Sequence, residues 1–573
     1  MASSDNRVRE LCRALKPLLG PQVEQLFSGY LAEDDEGKAL IENYLEILSN
    51  KHLTPGLEGP DVQLLPPEEQ LARGPYTIGT VLYGGKPLYE FGLREGEWIQ
   101  HVGIFGRTGA GKTNLGILML EQLVKAGKPV LVFDWKRNYR DLLAKPVFKD
   151  VEVYTIGRPV SPFTFNPLIP PPGTNPKTWL KKLNEVIAHA YMLGNGVLYL
   201  LQQSLDEVYE EAGIYSGEAT RWPTFQDLLA KARKINARGR EAGWLSSTLR
   251  ALASLCFGDM GDLVNQRQPS RPEDLLNKTV ILELDALTQQ DKVFFVSALL
   301  LYIHHLRMAE DQRETFKHAI LIEEAHHILS GERRSLVGGQ SVMEITFREI
   351  REFGEGLVLL DQHPSQISLP ALGNTYCTIS LNVKHQKDVH AVAQCMLLEG
   401  KERDVLGSLE VGQAVVKLQG RIPRPFLVRI PEFEIEKGKI TDDMVRERMK
   451  PFVRSRPAPE VPAEEGGAGQ HDQEASSGAA PASLPRRTSP SGNPADAHEG
   501  LRAGFLRDVQ AHPDSGIAAR YKRLGISVRQ GQKIKAYLAA DGLVEEQEER
   551  TSTGKLLRIR LTEKGEGSLE QLR

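Results

Sequence analysis

The sequence predicts an α/β fold on a mostly parallel sheet, and three observations carry that prediction. Between His101 and Ile430, short apolar runs alternate with long helical stretches. The first of those runs feeds a glycine-rich turn of phosphate-loop type and then a helix. A later run ends in two adjacent carboxylates, Glu323 and Glu324.

In chain order, residues 1–75 read as a helical segment. Val8, Leu11, Leu15 and Leu18 share one face, and a second run holds Leu40, Ile41, Tyr44, Leu45 and Leu48. From Tyr76 to Leu93 the period becomes strand-like, with Gly84-Gly85 as the hairpin turn, so residues 76–98 form a β-ribbon. Residues 99–435 are the α/β domain. Its core strands are expected at Val102–Phe105, Val130–Asp134, Val151–Ile156, Val280–Leu284, Ala319–Ile322, Leu357–Leu360 and Thr378–Asn382, with a helical insertion at about 177–257. A helical extension, 436–456, follows. Residues 457–500 hold almost no large apolar side chains and read as a disordered linker. Residues 501–573 regain pattern as three helices, Leu501–Gln510, Ile517–Leu524 and Val528–Ala540. Two strands follow, Leu543–Glu549 and Leu556–Leu561, and the whole reads as a winged-helix-like module.

Composition narrows the function class. Four cysteines in 573 residues are too few and too dispersed for a disulfide framework, which favours a reducing compartment. No stretch reaches the roughly 18 apolar residues of a spanning helix, so the expectation is a cytoplasmic protein without a membrane partner. The net charge of −4 conceals a division: residues 501–573 carry 14 Lys and Arg against 10 Asp and Glu, a net +4, and the first 500 residues carry −8.

The phosphate loop is Gly106-Arg107-Thr108-Gly109-Ala110-Gly111-Lys112-Thr113, with Asn114 opening the helix behind it. Its N–H groups and the helix N-terminus suit an anion, Lys112 supplies a point charge to the β and γ oxygens, and Thr113 supplies a hydroxyl to Mg²⁺. The implied cofactors are ATP and Mg²⁺. Glu323 would orient the metal and Glu324 would act as general base on water, unless the two acids simply cap the next helix. Gln362, after the strand Leu357–Leu360, would sense the γ-phosphate if that strand lies between the loop strand and the acidic strand. Arg348 and Arg351, on a helix expected over Val342–Phe353, are either an arginine finger for a neighbouring subunit or a solvated basic face paired with Glu344, Glu349 or Glu352. His326 and His327 read as helix packing or coupling residues, without a third ligand for a metal.

DNA-contact candidates fall in two places. Arg333 and Arg334 lie in the Ser330–Gln340 stretch, a channel loop or an ordinary surface loop. Arg529, Lys533 and Lys535 lie on the third helix of the last module, and Lys555, Arg558 and Arg560 on its wing. The acids Glu545, Glu546, Glu548 and Glu549 leave protein docking open for that module.

With these residues in view, the chain resembles the HerA/FtsK group of P-loop motors, in its HerA-like branch. The matching stretches include YTIGTVLYGGKPLYEFGL, HVGIFGRTGAGKTN, VLVFDWKRNY, FNPL, ILIEEAHHIL, FREIREFGEGLVLLDQHPSQI and LGSLEVGQAVVKL. The resemblance implies a RecA-like core, a homo-oligomeric, hexameric ring, ATP at subunit interfaces, DNA in the channel and Arg348 or Arg351 acting in trans. The family's N-terminal β-barrel is missing or reduced to the ribbon. The expected activity is an ATPase coupled to DNA translocation, working with a separately encoded nuclease or effector in DNA processing, mobile-element transfer or anti-phage defence. The alternative is an ATP-gated DNA-binding regulator or scaffold whose effector is the winged helix.

Overall fold

A computed structural model describes residues 2–53, 64–218, 221–331, 341–454, 494–526, 528–551 and 554–571. They divide into two units, Met1–Pro462 and Ala463–Arg573.

The first unit is organised by one eleven-stranded sheet. Its strands in chain order are β1 (Tyr76–Tyr83), β2 (Lys86–Leu93), β3 (Val102–Phe105), β4 (Val130–Asp134), β5 (Glu152–Thr155), β6 (Val280–Glu283), β7 (His318–Glu323), β8 (Glu355–Asp361), β9 (Cys377–Ser380), β10 (Gln413–Leu418) and β11 (Phe426–Arg429). Across the sheet the order is β2-β1-β11-β10-β9-β3-β8-β7-β4-β6-β5. The block from β9 to β5 is parallel throughout. These are the seven expected core strands, and nearly every residue in them is buried, as a sheet covered on both faces requires.

Beyond β9 the sheet turns antiparallel through β10, β11, β1 and β2. The ribbon is therefore not a separate element as the sequence reading had it. Thr80 and Val81 pair with Arg429 and Val428, so its register is fixed by a strand from the far end of the domain.

Helices cover both faces. Lys112–Lys125 follows the phosphate loop, and Gln289–Met308 is buried over most of its length. Among the described residues no helix is long and apolar enough to cross a membrane. The insertion comprises Pro176–Tyr191, Asn195–Glu211, Phe225–Ala232 and Arg240–Leu255. It is anchored by the fully buried Trp179, whose indole N–H donates to Pro167 O at 2.9 Å in the FNPL stretch. The Asp442–Arg454 helix is tied to the sheet through Arg140, which is bidentate to the buried Glu283 at 2.6 to 2.7 Å and bonded to Asp442 at 2.6 Å.

The helical head is Ala2–Leu19, Pro21–Ala32 and Asp35–His52. Val8, Leu11, Leu15, Tyr30 and Leu45 form its core, and Tyr83 of β1 belongs to the same cluster, its hydroxyl donating to Ala14 O at 2.6 Å. The apolar run expected on the third helix divides. Leu45 is buried and Ile41 and Leu48 partly so, whereas Leu40 and Tyr44 face outward.

The second unit contains Pro494–Ala511, Ile517–Arg523, Val528–Ala540, β12 (Val544–Thr551), β13 (Gly554–Leu561) and Glu563–Gln571. Two features differ from the sequence reading. The first helix starts within the stretch assigned to the linker, whose greater part lies outside the described residues. A fourth helix also follows the hairpin, seated by Leu569 on the core of Phe505, Leu506, Tyr521, Ile534, Leu538 and Ile559. Arg520 is fully buried and bonds both Asp508 and the carbonyls of Asp508, His512 and Ser515.

Candidate nucleotide site

The sheet order places β8 between β3 and β7, the condition set for Gln362. All three strands run the same way, so their C-terminal ends deliver the phosphate loop, Gln362 and the acidic pair to one edge of the sheet.

The loop leaves β3 through Gly106 and turns with φ of 78° at Gly109 and 104° at Gly111, angles that a Cβ would strain. Gly111 then stands at the N-cap of the Lys112–Lys125 helix. Lys112 Nζ lies back on the loop, donating to Gly106 O at 2.7 Å and Arg107 O at 3.2 Å. Burial lowers its pKa, and the nearby Glu324 and Asp361 oppose that shift. Arg107 is held from the β9 side, its Nε donating to Asn382 Oδ1 at 2.9 Å. Asn114, expected with the loop among the nucleotide-binding residues, donates its side-chain amide to Pro431 O at 2.8 Å and accepts from the Phe433 N–H at 2.7 Å, which pins the helix start to the segment after β11.

Glu323 ends β7, where it accepts from Thr113 Oγ1 at 3.3 Å and from Asn138 Nδ2 at 3.3 Å. Burial raises its pKa, and the neighbouring charge of Asp134 adds to that. Burial likewise raises Asp134 at the end of β4, although three backbone N–H groups, from Lys136, Asn138 and Tyr139, bond its carboxylate. A hydroxyl 3.3 Å from a carboxylate, with a second buried acid beside it, fits Mg²⁺, which takes few protein ligands. Among the described residues no group of three or more His, Cys, Asp or Glu could hold a metal ion.

Glu324 adopts φ 51° and ψ 45°, an uncommon conformation for a residue other than glycine. The two adjacent carboxylates take different partners. The Glu324 side chain makes no cap bond to the 3₁₀ turn that it opens; it accepts from Gln362 Nε2 at 3.0 Å on each oxygen and from Lys136 Nζ at 2.6 Å. Gln362 in turn accepts from Thr108 Oγ1 at 2.8 Å. Loop, amide and carboxylate are thus linked in one chain of hydrogen bonds.

Beneath them, the fully buried Asp361 accepts the His326 N–H at 2.6 Å and the His363 N–H at 2.6 Å, and it meets His326 Nδ1 at 2.9 Å. Burial alone would lower the His326 pKa, but the bond and charge of Asp361 outweigh it and the net shift is upward. His326 and His327 lie in a 3₁₀ turn, not the expected helix, with ring centroids 3.9 Å apart.

Sequence reasoning missed Lys136 and Asn138. Both follow β4 in the WKRNY stretch, and only the adjacency of β4 and β7 reveals their reach. Arg348 ends the Val342–Glu349 helix and Arg351 sits in the 3₁₀ turn Ile350–Phe353, so the expected single helix tightens between them. Both are exposed, with Arg348 3.6 Å from Glu349. Arg333 and Arg334 lie outside the described residues. In the second unit, Arg529, Lys533 and Lys535 are on one helix and Lys555, Arg558 and Arg560 are on β13, where Arg558 pairs with Gln547 and Arg560 with Glu545.

Comparison with known proteins follows the same lines. Residues 77–301 match the family model described as the helicase HerA central domain. The DNA double-strand break repair helicase HerA of Sulfolobus acidocaldarius is 22% identical over 408 residues, 68% of this chain and 75% of that protein. Its counterpart from Saccharolobus solfataricus is 24% identical over 411 residues, covering 69% and 76%. Among solved structures, VirB4 of Thermoanaerobacter pseudethanolicus aligns with a TM-score of 0.47 at 18% identity, over 58% of this chain and 89% of that one. The plasmid coupling protein TrwB in complex with ADP and Mg²⁺ aligns at 0.48 and 12%, over 65% and 93%. The phosphate loop lies inside the matched segment, so the stretch that is similar to the HerA central domain is the one that builds this site.

Proposed function

We propose that this chain is an ATP-hydrolysing DNA translocase that works as a ring of its own copies, hexameric in the reading given by the family resemblance. The observation that carries the chemistry is the Thr108–Gln362–Glu324 chain, in which a phosphate-loop hydroxyl is connected through one amide to a carboxylate. When bound, ATP would supply the phosphoanhydride and Mg²⁺ would neutralise negative charge on the phosphates.

The residues of the chain do the rest. Backbone N–H groups from Gly106 to Thr113 cradle phosphate, and Lys112 exchanges its carbonyl partners for phosphate oxygens. Thr113 and Glu323 would hold Mg²⁺, a reading supported by their contact at 3.3 Å. Glu324 accepts the proton of the attacking water, and Gln362 reports the γ-phosphate to it. Arg348 or Arg351 reaches the site of a neighbouring copy, a role supported by their exposure. DNA as the track is supported by the helicase relatives and by the basic residues of the second unit, Arg529, Lys533, Lys535, Lys555, Arg558 and Arg560. A separately encoded nuclease or effector would supply any cutting step, and the ring would act in the cytoplasm.

Glu324→Gln tests the reading. It should still bind ATP while DNA-stimulated turnover falls by about 10²- to 10⁴-fold, the range of a general base. Undiminished turnover in that variant would sink the assignment.

A further inference from the structure

The third head helix, Asp35–His52, turns outward one face that is exposed among the described residues. Leu40 is 67% exposed, Tyr44 50% and Ile47 62%. On a helix of 3.6 residues per turn, Glu36, Leu40, Asn43, Tyr44, Ile47 and Lys51 share one face, and all six are exposed. Charges nearer the middle are off this face: Glu46 is only half exposed and turns to Arg7, 2.5 Å away. The exposed stripe therefore has an apolar centre, one acid at its N-terminal end and one base at its C-terminal end.

The stripe is a palindrome. About the midpoint between residues 43 and 44, Asn43 mirrors Tyr44, Leu40 mirrors Ile47 and Glu36 mirrors Lys51. Two such helices laid antiparallel across a two-fold axis would set apolar against apolar at the centre and acid against base at both ends. A parallel arrangement would set Glu36 against Glu36. A neutral stripe with an apolar centre is a poor fit to a nucleic acid, whose backbone calls for positive charge.

We infer that two copies of this chain pair through their heads, antiparallel along Asp35–His52, about a two-fold axis passing between Asn43 and Tyr44. Such a contact is isologous, with the same surface serving both partners, and therefore cannot relate neighbours within a cyclic ring. It joins two chains or, where rings form, two rings. Three apolar side chains from each copy make a weak contact between monomers, and a ring repeating the contact multiplies it.

Charge exchange on the full-length chain tests this by sedimentation velocity over a concentration series without nucleotide. Wild type should show a reversible dimer. Glu36→Lys places two lysines together at each end, and Lys51→Glu two glutamates, so either should weaken the dimer by about tenfold or more. The double variant E36K/K51E re-creates the complementary pairs and should return to within about threefold of wild type. Leu40→Asp should abolish the dimer. All of these positions are exposed, and unchanged melting by circular dichroism would establish that each variant folds. A wild type that stays monomeric throughout, a dimer indifferent to Glu36→Lys, or a double variant no better than the single ones would each overturn the inference.

Discussion

Gln362 donates its side-chain amide to both carboxylate oxygens of Glu324, each at 3.0 Å. The same amide accepts from Thr108, so one side chain touches both the loop that would hold phosphate and the acid that would activate water. Removing it should disturb turnover more than binding. Gln362→Ala is expected to bind nucleotide within a few-fold of wild type and to lose about 10²-fold in kcat, comparable to the loss of one positioned donor. Nucleotide titration beside steady-state ATP turnover separates the two effects, and a variant that loses affinity but not kcat contradicts the sensor role.

Arg348 and Arg351 are both exposed, one in the last turn of the Val342–Glu349 helix and the other in the 3₁₀ turn after it. A finger acting in trans predicts complementation. Whichever of Arg348→Ala and Arg351→Ala removes the finger should lower turnover by about 10³-fold or more, and Glu324→Gln by about 10²- to 10⁴-fold. Mixed with Glu324→Gln chains, that arginine variant should recover a measurable fraction of wild-type ATPase, because a mixed interface pairs an intact arginine with an intact Glu324. If no mixture exceeds its parents, the trans assignment fails for both arginines.

His326 provides a pH signature. Its pKa is raised in the folded chain, with burial opposing and Asp361 prevailing. A raised value means the protonated form is favoured by folding, so this contribution is complete below the ordinary histidine value of about 6.5 and fades as pH rises through the folded value. Asp361→Asn should cost about 1.5 to 3 kcal/mol, the range for a hydrogen bond to a charged group, and should flatten that dependence. Thermal melts between mildly acidic and mildly alkaline pH provide the comparison, and equal slopes in the two proteins would refute it.

Arg520 and Asp508 hold the second unit together from within. Arg520→Ala leaves the carbonyls of Asp508, His512 and Ser515 without this donor and the Asp508 carboxylate with Arg523 alone, and should cost about 1 to 3 kcal/mol. Hydrogen exchange at Phe505, Leu506 and Val509 should accelerate accordingly. The Asp508 pKa is lowered, since Arg523 and Arg520 overcome the burial that would raise it. Its contribution is therefore present above the unfolded value of about 3.9 and lost as pH falls through the depressed one. Exchange protection in this unit that collapses well above pH 4 would count against that ion pair.

The parallel strands were legible because burial on both faces leaves a near-continuous apolar run, as in Val130–Asp134 and Ala319–Ile322. The strand-end acids and Gln362 were legible for a related reason, since they stand in the polar pairs that end such runs, Glu323-Glu324 after Ile322 and Asp361-Gln362 after Leu360. Lys136 and Asn138 were not. Their reach depends on β4 lying next to β7, a pairing between residues nearly two hundred apart in sequence, and no local pattern encodes it. On the third head helix, periodicity marked the apolar residues but could not say which of two apolar faces turns inward. The helix Glu563–Gln571 was missed because it holds two glycines and only one large apolar residue, the buried anchor Leu569, to mark a periodic face.

The pairing of β1 with β11 also has a bearing on how the protein is made. The ribbon is synthesised early, yet its sheet partner follows roughly 340 residues later, from Tyr83 to Phe426. At about 5 to 20 residues per second, that is roughly 17 to 70 seconds of elongation during which β1 has a bare edge on the ribosome. A message truncated before Phe426 would leave that edge open permanently, an invitation to strand addition from other nascent chains. Chaperone dependence during synthesis should accordingly track the arrival of β11 and not that of the phosphate loop.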